Sequence, residues 1–366
     1  MKMGGKQDMR KVNYLLLMCG VCLCVCGGCD NQSGEETVTP QMTKAIEESD
    51  AHASEGSVES NLPEAVVEEA LLEQKVKLRV GDGFAAYLDE KGKLHIIYDI
   101  NEKTIGMDLE KKYIGFGEER SWLVAIDEEG KARTSYPYTA DEVDEQIREA
   151  VEAALEAGGN YGMGVRDPDT MRTMDALSGI RQLSCDYTEA YCALLEDGTV
   201  LLHERGLEQE LLKELQGARQ IAVAKCGGVA GISENGTFIS TPMSEVARKS
   251  SLEKWTGVKL KQICGGDYFV GLKDDGTVVA EDSVLNYRIN TKEQWRDIIS
   301  IAVEKGTVVG LKSDGTVVAV CTPETDNGQC NVDMWTDIVA VDTNGNITLG
   351  IKKDGSVVYA GGLRAK

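Results

Sequence analysis

Near its C-terminus the chain writes one phrase three times: FVGLKDDGTVVAED (Phe269–Asp282), TVVGLKSDGTVVAVC (Thr307–Cys321) and TLGIKKDGSVVYAGG (Thr348–Gly362). Repetition at a fixed period decides the architecture before any single residue is weighed. With the turn glycine as the marker, weaker copies run upstream, placing Gly92, Gly130, Gly198, Gly236, Gly276, Gly315 and Gly355 at separations of 38, 68, 38, 40, 39 and 40. One gap is long by about a helix and its linkers; the others have the period of a propeller blade or a helical repeat.

Two columns tell blade from helix. Four residues before the glycine every copy carries Leu or Ile (Leu88, Ile126, Leu194, Ile232, Leu272, Leu311, Ile351), and two residues after it every copy is apolar (Leu94, Ala132, Val200, Phe238, Val278, Val317, Val357). The residue just before the glycine is polar, most often Asp. That is a β-hairpin with a three-residue loop such as Ser313-Asp314-Gly315, in which glycine takes the left-handed position. The two columns should then face each other on one side of a sheet. A further strand precedes each hairpin, as in Ala218–Val223, Ile298–Val303 and Ile338–Val341. About twenty residues before the glycine stands a bulky anchor: Leu72, Leu177, Trp255, Trp295 or Trp335, with Leu109 one position off in the second copy. A residue that Leu replaces in sibling repeats is used for bulk, so the tryptophans read as structure before ligand stacking.

Seven such units, each too small to bury both faces, are expected to curl into a closed ring. The fold class is therefore all-β, a seven-bladed β-propeller over residues 76–366, interrupted by a helical insertion at 137–177. That insertion reads as an amphipathic helix with a Thr139–Glu142 capping box, an apolar stripe through Val143, Ile147, Val151 and Leu155, and Gly158-Gly159 as its stop. It lies either along the propeller flank or over a rim as a lid.

The motifs W-x-D-I-V-A-V in Trp335–Val341, G-L-K-x-D-G-T-V-V-A in Gly310–Ala319 and G-Q-C in Gly328–Cys330 resemble those of bacterial regulator-of-chromosome-condensation repeat proteins. Members of that family are typically seven-bladed. Its G-G-x-H segment survives here only as Gly265-Gly266 with Tyr268 near the histidine position, so the family's binding residues do not transfer.

Residues 1–28 carry Lys2, Lys6, Arg10 and Lys11 ahead of the apolar run YLLLMCGVCLCVC, which ends at Gly27-Gly28-Cys29. This reads as an export signal and resembles the lipobox of bacterial lipoproteins, which implies lipid attachment at Cys29. Cys26 stands where that family has an aliphatic residue, and a secretory signal cut elsewhere or an uncleaved short anchor are the alternatives. Residues 29–75 form an acidic linker, with 12 acidic and two basic residues from Asp30 to Lys75 and one short helical pattern at NLPEAVVEEALLEQK. The localisation expected is the cell membrane, lipid-anchored, on its extracytoplasmic face.

Composition narrows the function. Lys and Arg number 39 against 61 Asp and Glu, a net charge of −22, which repels phosphate backbones and excludes nucleic acid. Only three histidines are present (His52, His95, His203), and there is no G-x-S-x-G elbow, no H-E-x-x-H and no P-loop. No catalytic residue, metal or cofactor is assigned. Four of the 11 cysteines fall in residues 1–28 and a fifth is Cys29; of the six in the body, Cys321 and Cys330 bracket one loop and are the first candidate pair for a disulfide, with buried free thiols on strands an equal reading. Two function classes follow. The first is a monomeric, non-enzymatic scaffold whose rim loops (Ala280–Glu293, Val320–Met334, Thr241–Glu253), with Tyr268 and Tyr287, bind a protein or glycan outside the cell. The second is an extracytoplasmic hydrolase or lyase acting on polysaccharide, with carboxylates and tyrosines such as Tyr268 and Tyr287 gathered over the channel; a cluster of buried, convergent carboxylates would favour it.

Overall fold

The computed structural model describes residues 76–99, 104, 106–117, 122–145, 167–185, 190–204, 207–224, 228–241, 252–281, 283–290 and 295–362. The export segment with Cys29, the acidic linker with Leu72, and Ile147 to Gly159 of the insertion lie outside them.

Each marker glycine has a positive φ, from +67° at Gly130 to +85° at Gly355. The turn carboxylate fixes the loop around it: Asp314 Oδ1 accepts from the Thr316 backbone N–H and hydroxyl at 2.9 and 2.6 Å, and Asp275 with Thr277 and Asp354 with Ser356 repeat the pattern. All seven pairs of the two apolar columns are directly opposed, from Leu88↔Leu94 to Ile351↔Val357.

These hairpins build seven antiparallel sheets. Blade 1 is β1 (Lys77–Val80), β2 (Phe84–Leu88) and β3 (Leu94–Asp99); blade 2 is β4 (Tyr113–Phe116), β5 (Val124–Asp127) and β6 (Ala132–Thr134). Blade 3 is β7 (Ile180–Cys185), β8 (Tyr191–Leu195) and β9 (Val200–His203), with β10 (Glu210–Leu211) added at its outer edge. Blade 4 is β11 (Ala218–Ala224), β12 (Gly228–Ser233) and β13 (Phe238–Ser240); blade 5 is β14 (Leu260–Cys264), β15 (Val270–Lys273) and β16 (Val278–Ala280). Blade 6 is β17 (Ile298–Glu304), β18 (Thr307–Lys312) and β19 (Val317–Cys321); blade 7 is β20 (Ile338–Thr343), β21 (Ile347–Lys352) and β22 (Val357–Gly361). The first strand of every blade touches the first strand of the next, and β20 touches β1. The seven first strands are thus the inner circle of a closed seven-bladed propeller.

The seams between blades are apolar. Between blades 6 and 7, Val309, Leu311 and Val317 meet Trp335, Ile338 and Val358. Such side chains contribute about 1.5–3 kcal/mol each on burial. The anchors lie inside these seams, and they explain the glycine of the G-L-K motif. A Cβ at Gly310 would stand 2.9 Å from Trp295 Cζ3, and one at Gly350 3.0 Å from Trp335 Cζ3. Where the anchor is Leu177, the matching position is Ala193. Blade 1 has Tyr87 there, stacked on His95 and buried against Val339, Ala340 and Ile351, so the ring itself plugs that seam. Leu109 is not an anchor: it is 45% exposed in a turn closed by Lys111 N–H on Asp108 C=O, and Met107 enters the core beside Ala125 in its place.

Each turn glycine has a second task. Its carbonyl accepts a backbone hydrogen bond from the start of the next blade in all six sequential steps, for example Ile298 N–H to Gly276 at 3.1 Å and Ile338 N–H to Gly315 at 2.9 Å. At the start of the insertion Thr139 and Glu142 cap reciprocally, and Val143 is fully buried against Tyr136 and Met171. A second helix, α1 (Pro168–Ala176), had no counterpart in the sequence reading; Asp167 caps it by accepting from Thr170 N–H at 2.9 Å. Helix α2 (Ser283–Asn290) follows blade 5.

Candidate functional site

A blade has two ends. The D-G hairpins occupy one rim, and the turns joining first to second strands occupy the other, where the linkers to the next blade also begin. The second rim carries most of the chemistry.

The inner edge of the first strands would leave backbone groups unpaired. Three glutamines cover it. Gln182 donates to Ile221 C=O at 2.7 Å and accepts from Ile221 N–H at 2.9 Å; Gln220 holds Ile263 and Gln262 holds Ile301 in the same way. Two residues further along each strand runs a column of small side chains, Gly117, Ser184, Ala222, Cys264 and Ala302, and Ser184 Oγ accepts from Val223 N–H at 3.0 Å. In blades 7 and 1 that column holds a charge pair instead. Asp342 Oδ2 accepts from Val80 N–H at 2.7 Å with Arg79 Nη1 at 3.9 Å, across the closing seam.

Burial pushes the Asp342 carboxyl up to about 6, and the nearby Glu304 carboxylate adds to the rise, while Arg79 and the Val80 N–H oppose it. Tyr98, half-buried near Asp82 and Asp342, is pushed up to about 12 by desolvation and by these carboxylates. Around them the rim turns interlock: Asn344 Nδ2 donates to Gly81 C=O at 2.9 Å, and Lys305 Nζ of blade 6 lies 3.8 Å from Asp82 of blade 1. The fully buried Gln329 Nε2 donates to Thr307 Oγ1, Thr325 C=O and Gly345 C=O.

Tyr268 is 39% exposed on the rim turn of blade 5. A Cβ at Gly265 would fall 1.9 Å from Val223 C=O, and one at Gly266 3.3 Å from Val303 C=O, so the glycines wedge this turn between blades 4 and 6. Phe269 N–H donating to the Glu281 carboxylate at 3.1 Å fixes its other side. Tyr287 falls on α2, and its side chain lies outside the described part. The helix itself is built into the seam, with Leu285 and Ile289 buried and Arg288 donating to Cys321 C=O at 2.6 Å. Of the other expected rim loops, 322–334 is a hydrogen-bonded linker and 242–251 lies outside the described residues.

Cys321 and Cys330 are brought together as two free thiols that hydrogen-bond each other, and burial raises the Cys321 thiol above its ordinary value. The sequence reading missed two groups. One is the Arg79–Asp342 pair, whose signal was two charges interrupting a small-residue column. The other is an aromatic cluster on the same rim, Trp122, Tyr136 and Tyr138 with centroids 5.0 and 5.8 Å apart, signalled by three large rings within 17 positions of an aromatic-poor chain. His203, buried at the edge of blade 3, faces Thr170 Oγ1 of α1 at 3.1 Å and stacks on Tyr191; burial lowers its pKa against the pull of Asp167 and Asp169.

No family model matches the chain, and no curated protein matches its sequence. Solved structures similar to it include the C-terminal domain of gp131 from bacteriophage phiKZ, with 12% identity, TM-score 0.46, and 78% of this chain and 91% of that one covered. YCF48 bound to D1 peptide is 10% identical over 78% of this chain and 88% of that one, with TM-score 0.38. Yeast RCC1 (Prp20) bound to Kap60 is 12% identical over 78% and 69%, with TM-score 0.37.

Proposed function

We propose that the chain is an exported, lipid-anchored propeller that binds a protein or glycan through its turn rim, without catalysing a reaction. The observation that carries this is Tyr268, a large exposed ring on a turn its glycines hold in place. Rigid aromatic side chains lose little conformational freedom on contact, which suits them to anchor an interface. Trp122 and Tyr138 extend the same chemistry around the rim. Attachment at Cys29 would hold this surface near the membrane, with residues 29–75 as its reach.

A photo-crosslinking amino acid at position 268, compared in intact cells with the same group at Asp314 on the hairpin rim, tests the binding. A discrete adduct from position 268 alone is expected; equal adducts from both rims, or none, would defeat the proposal. Fatty-acid labelling should be lost in Cys29→Ala, and an unlabelled wild type removes the anchor from the reading. A second reading, a polysaccharide hydrolase or lyase, is favoured by Asp342 and Glu304, two buried and electrically coupled carboxylates. Against it, Asp342 already accepts from Val80 N–H and faces Arg79 in the closing seam. New reducing ends released by wild type but not by Asp342→Asn would establish the enzyme.

A further inference from the structure

We infer that Cys321 and Cys330 form a built-in modification site, a thiol pair that oxidises to a disulfide and clips the linker between blades 6 and 7 to the rim. The inference draws on export into an oxidising compartment and is independent of what the rim binds.

Three observations carry it. The Cys330 side chain is in hydrogen-bond contact with the Cys321 thiol, so the fold already holds the two side chains as neighbours. Both backbone positions are fixed from outside the pair. Thr322 N–H bonds to Gly306 C=O at 3.1 Å just after Cys321, and Val332 N–H bonds to Cys330 C=O at 3.0 Å. Between them, Gln329 is anchored to Thr307, Thr325 and Gly345, and Thr325 N–H returns to Thr322 C=O at 3.1 Å. The loop therefore presents the pair in one arrangement. The cysteines also differ in access: Cys321 is buried at the end of β19, and Cys330 is half-buried in the linker.

That difference orders the chemistry. With a low-molecular-weight disulfide as oxidant, the Cys330 thiolate attacks one of its sulfurs, forms a mixed disulfide and releases one thiol. Cys321 then loses its proton to solvent, attacks the Cys330 sulfur and expels the second thiol. Two protein thiols become one disulfide, and the two electrons and two protons they lose convert the oxidant into two thiols. The buried Cys321 thiol makes the second step the slower one.

The experiment takes the full chain, purified reduced, and equilibrates it with oxidised and reduced glutathione before alkylation. Cleavage after Glu324 separates the two cysteines, so a disulfide appears as two peptides joined and lighter by two hydrogens. The expected result is this link alone, with the remaining body cysteines alkylated. Oxidised protein should melt ~3–6 °C above reduced protein. Cys330→Ser should abolish both the link and the redox dependence of melting while its reduced melting temperature stays near wild type. Full alkylation of both cysteines, a stable glutathione adduct on Cys330, or a link through Cys185, Cys192, Cys226 or Cys264 overturns the inference.

Discussion

Two kinds of seam hold the ring, and they use different chemistry. In the six sequential seams the turn glycine of one blade accepts a backbone bond from the next, and in three of them a neutral glutamine clamps the neighbouring strand. The closing seam adds a charged pair, Arg79 with Asp342, placed in a column where other blades keep small residues. Where the chain itself delivers the next blade, weak and repeated contacts suffice. Where two ends distant in sequence must meet, the contact is charged and particular to that pair, and it carries the desolvation cost of burying a carboxylate.

The sharpest way to break this contrast is to bury a charge in a sequential seam. Leu311 is fully buried among Val309, Val317 and Trp335. Leu311→Asp should cost about 4 kcal/mol, read as the loss of folding free energy in denaturant titration. A melt like that of wild type would show that the repeat register is misplaced. Next in size, Gln220→Ala removes both bonds to Ile263 and leaves its N–H and C=O unpaired, at a cost of about 1–3 kcal/mol. Ala340, the same position in blade 7, has no amide to lose, so Ala340→Ser should change stability far less.

The smallest effect has a distinctive pH signature. The folded pKa of Asp342, about 6, lies above its ordinary 3.8, so the native state binds the extra proton between these values. Its contribution is most favourable below pH 4, declines as pH rises to 6 and stays low above that. The turn carboxylates Asp275, Asp314 and Asp354 behave oppositely. Their Thr or Ser hydroxyls and backbone N–H groups hold them below the ordinary value, and their support is lost on acidification. Asp342→Asn should therefore melt a few degrees above wild type at pH 8 and match it at pH 4. A constant difference across that range would show that Asp342 does not titrate in the folded protein.

Local pairing was legible in the sequence and lateral pairing was not. The Leu311–Val317 and Ile351–Val357 contacts follow from a turn of fixed length, so spacing alone reveals them. The glutamine clamp joins residues about forty positions apart through side chain and backbone, and its three members look like ordinary strand polar residues until the blades are laid side by side. Leu109 misled because the anchor column was counted through a linker of unequal length, and Met107 filled the space. Helix α1 had its signal in Asp167-Pro168, a cap followed by a proline at the first helical position, hidden beside the longer amphipathic pattern upstream. Of the two tyrosines expected at the site, Tyr268 stands on the rim, while α2, which carries Tyr287, serves to fill a seam.

The contacts from Asp342 and Asn344 to β1 and its turn span 262 and 263 positions of chain. Ordering so long a loop is the costliest step in assembly entropy, and contacts of this range slow folding. During synthesis the early blades can stack as they emerge, yet the circle stays unsealed until β20 is available. A nascent chain therefore spends most of its production with the blade 7 side of β1 uncovered, and that interval is when a chaperone has most to protect.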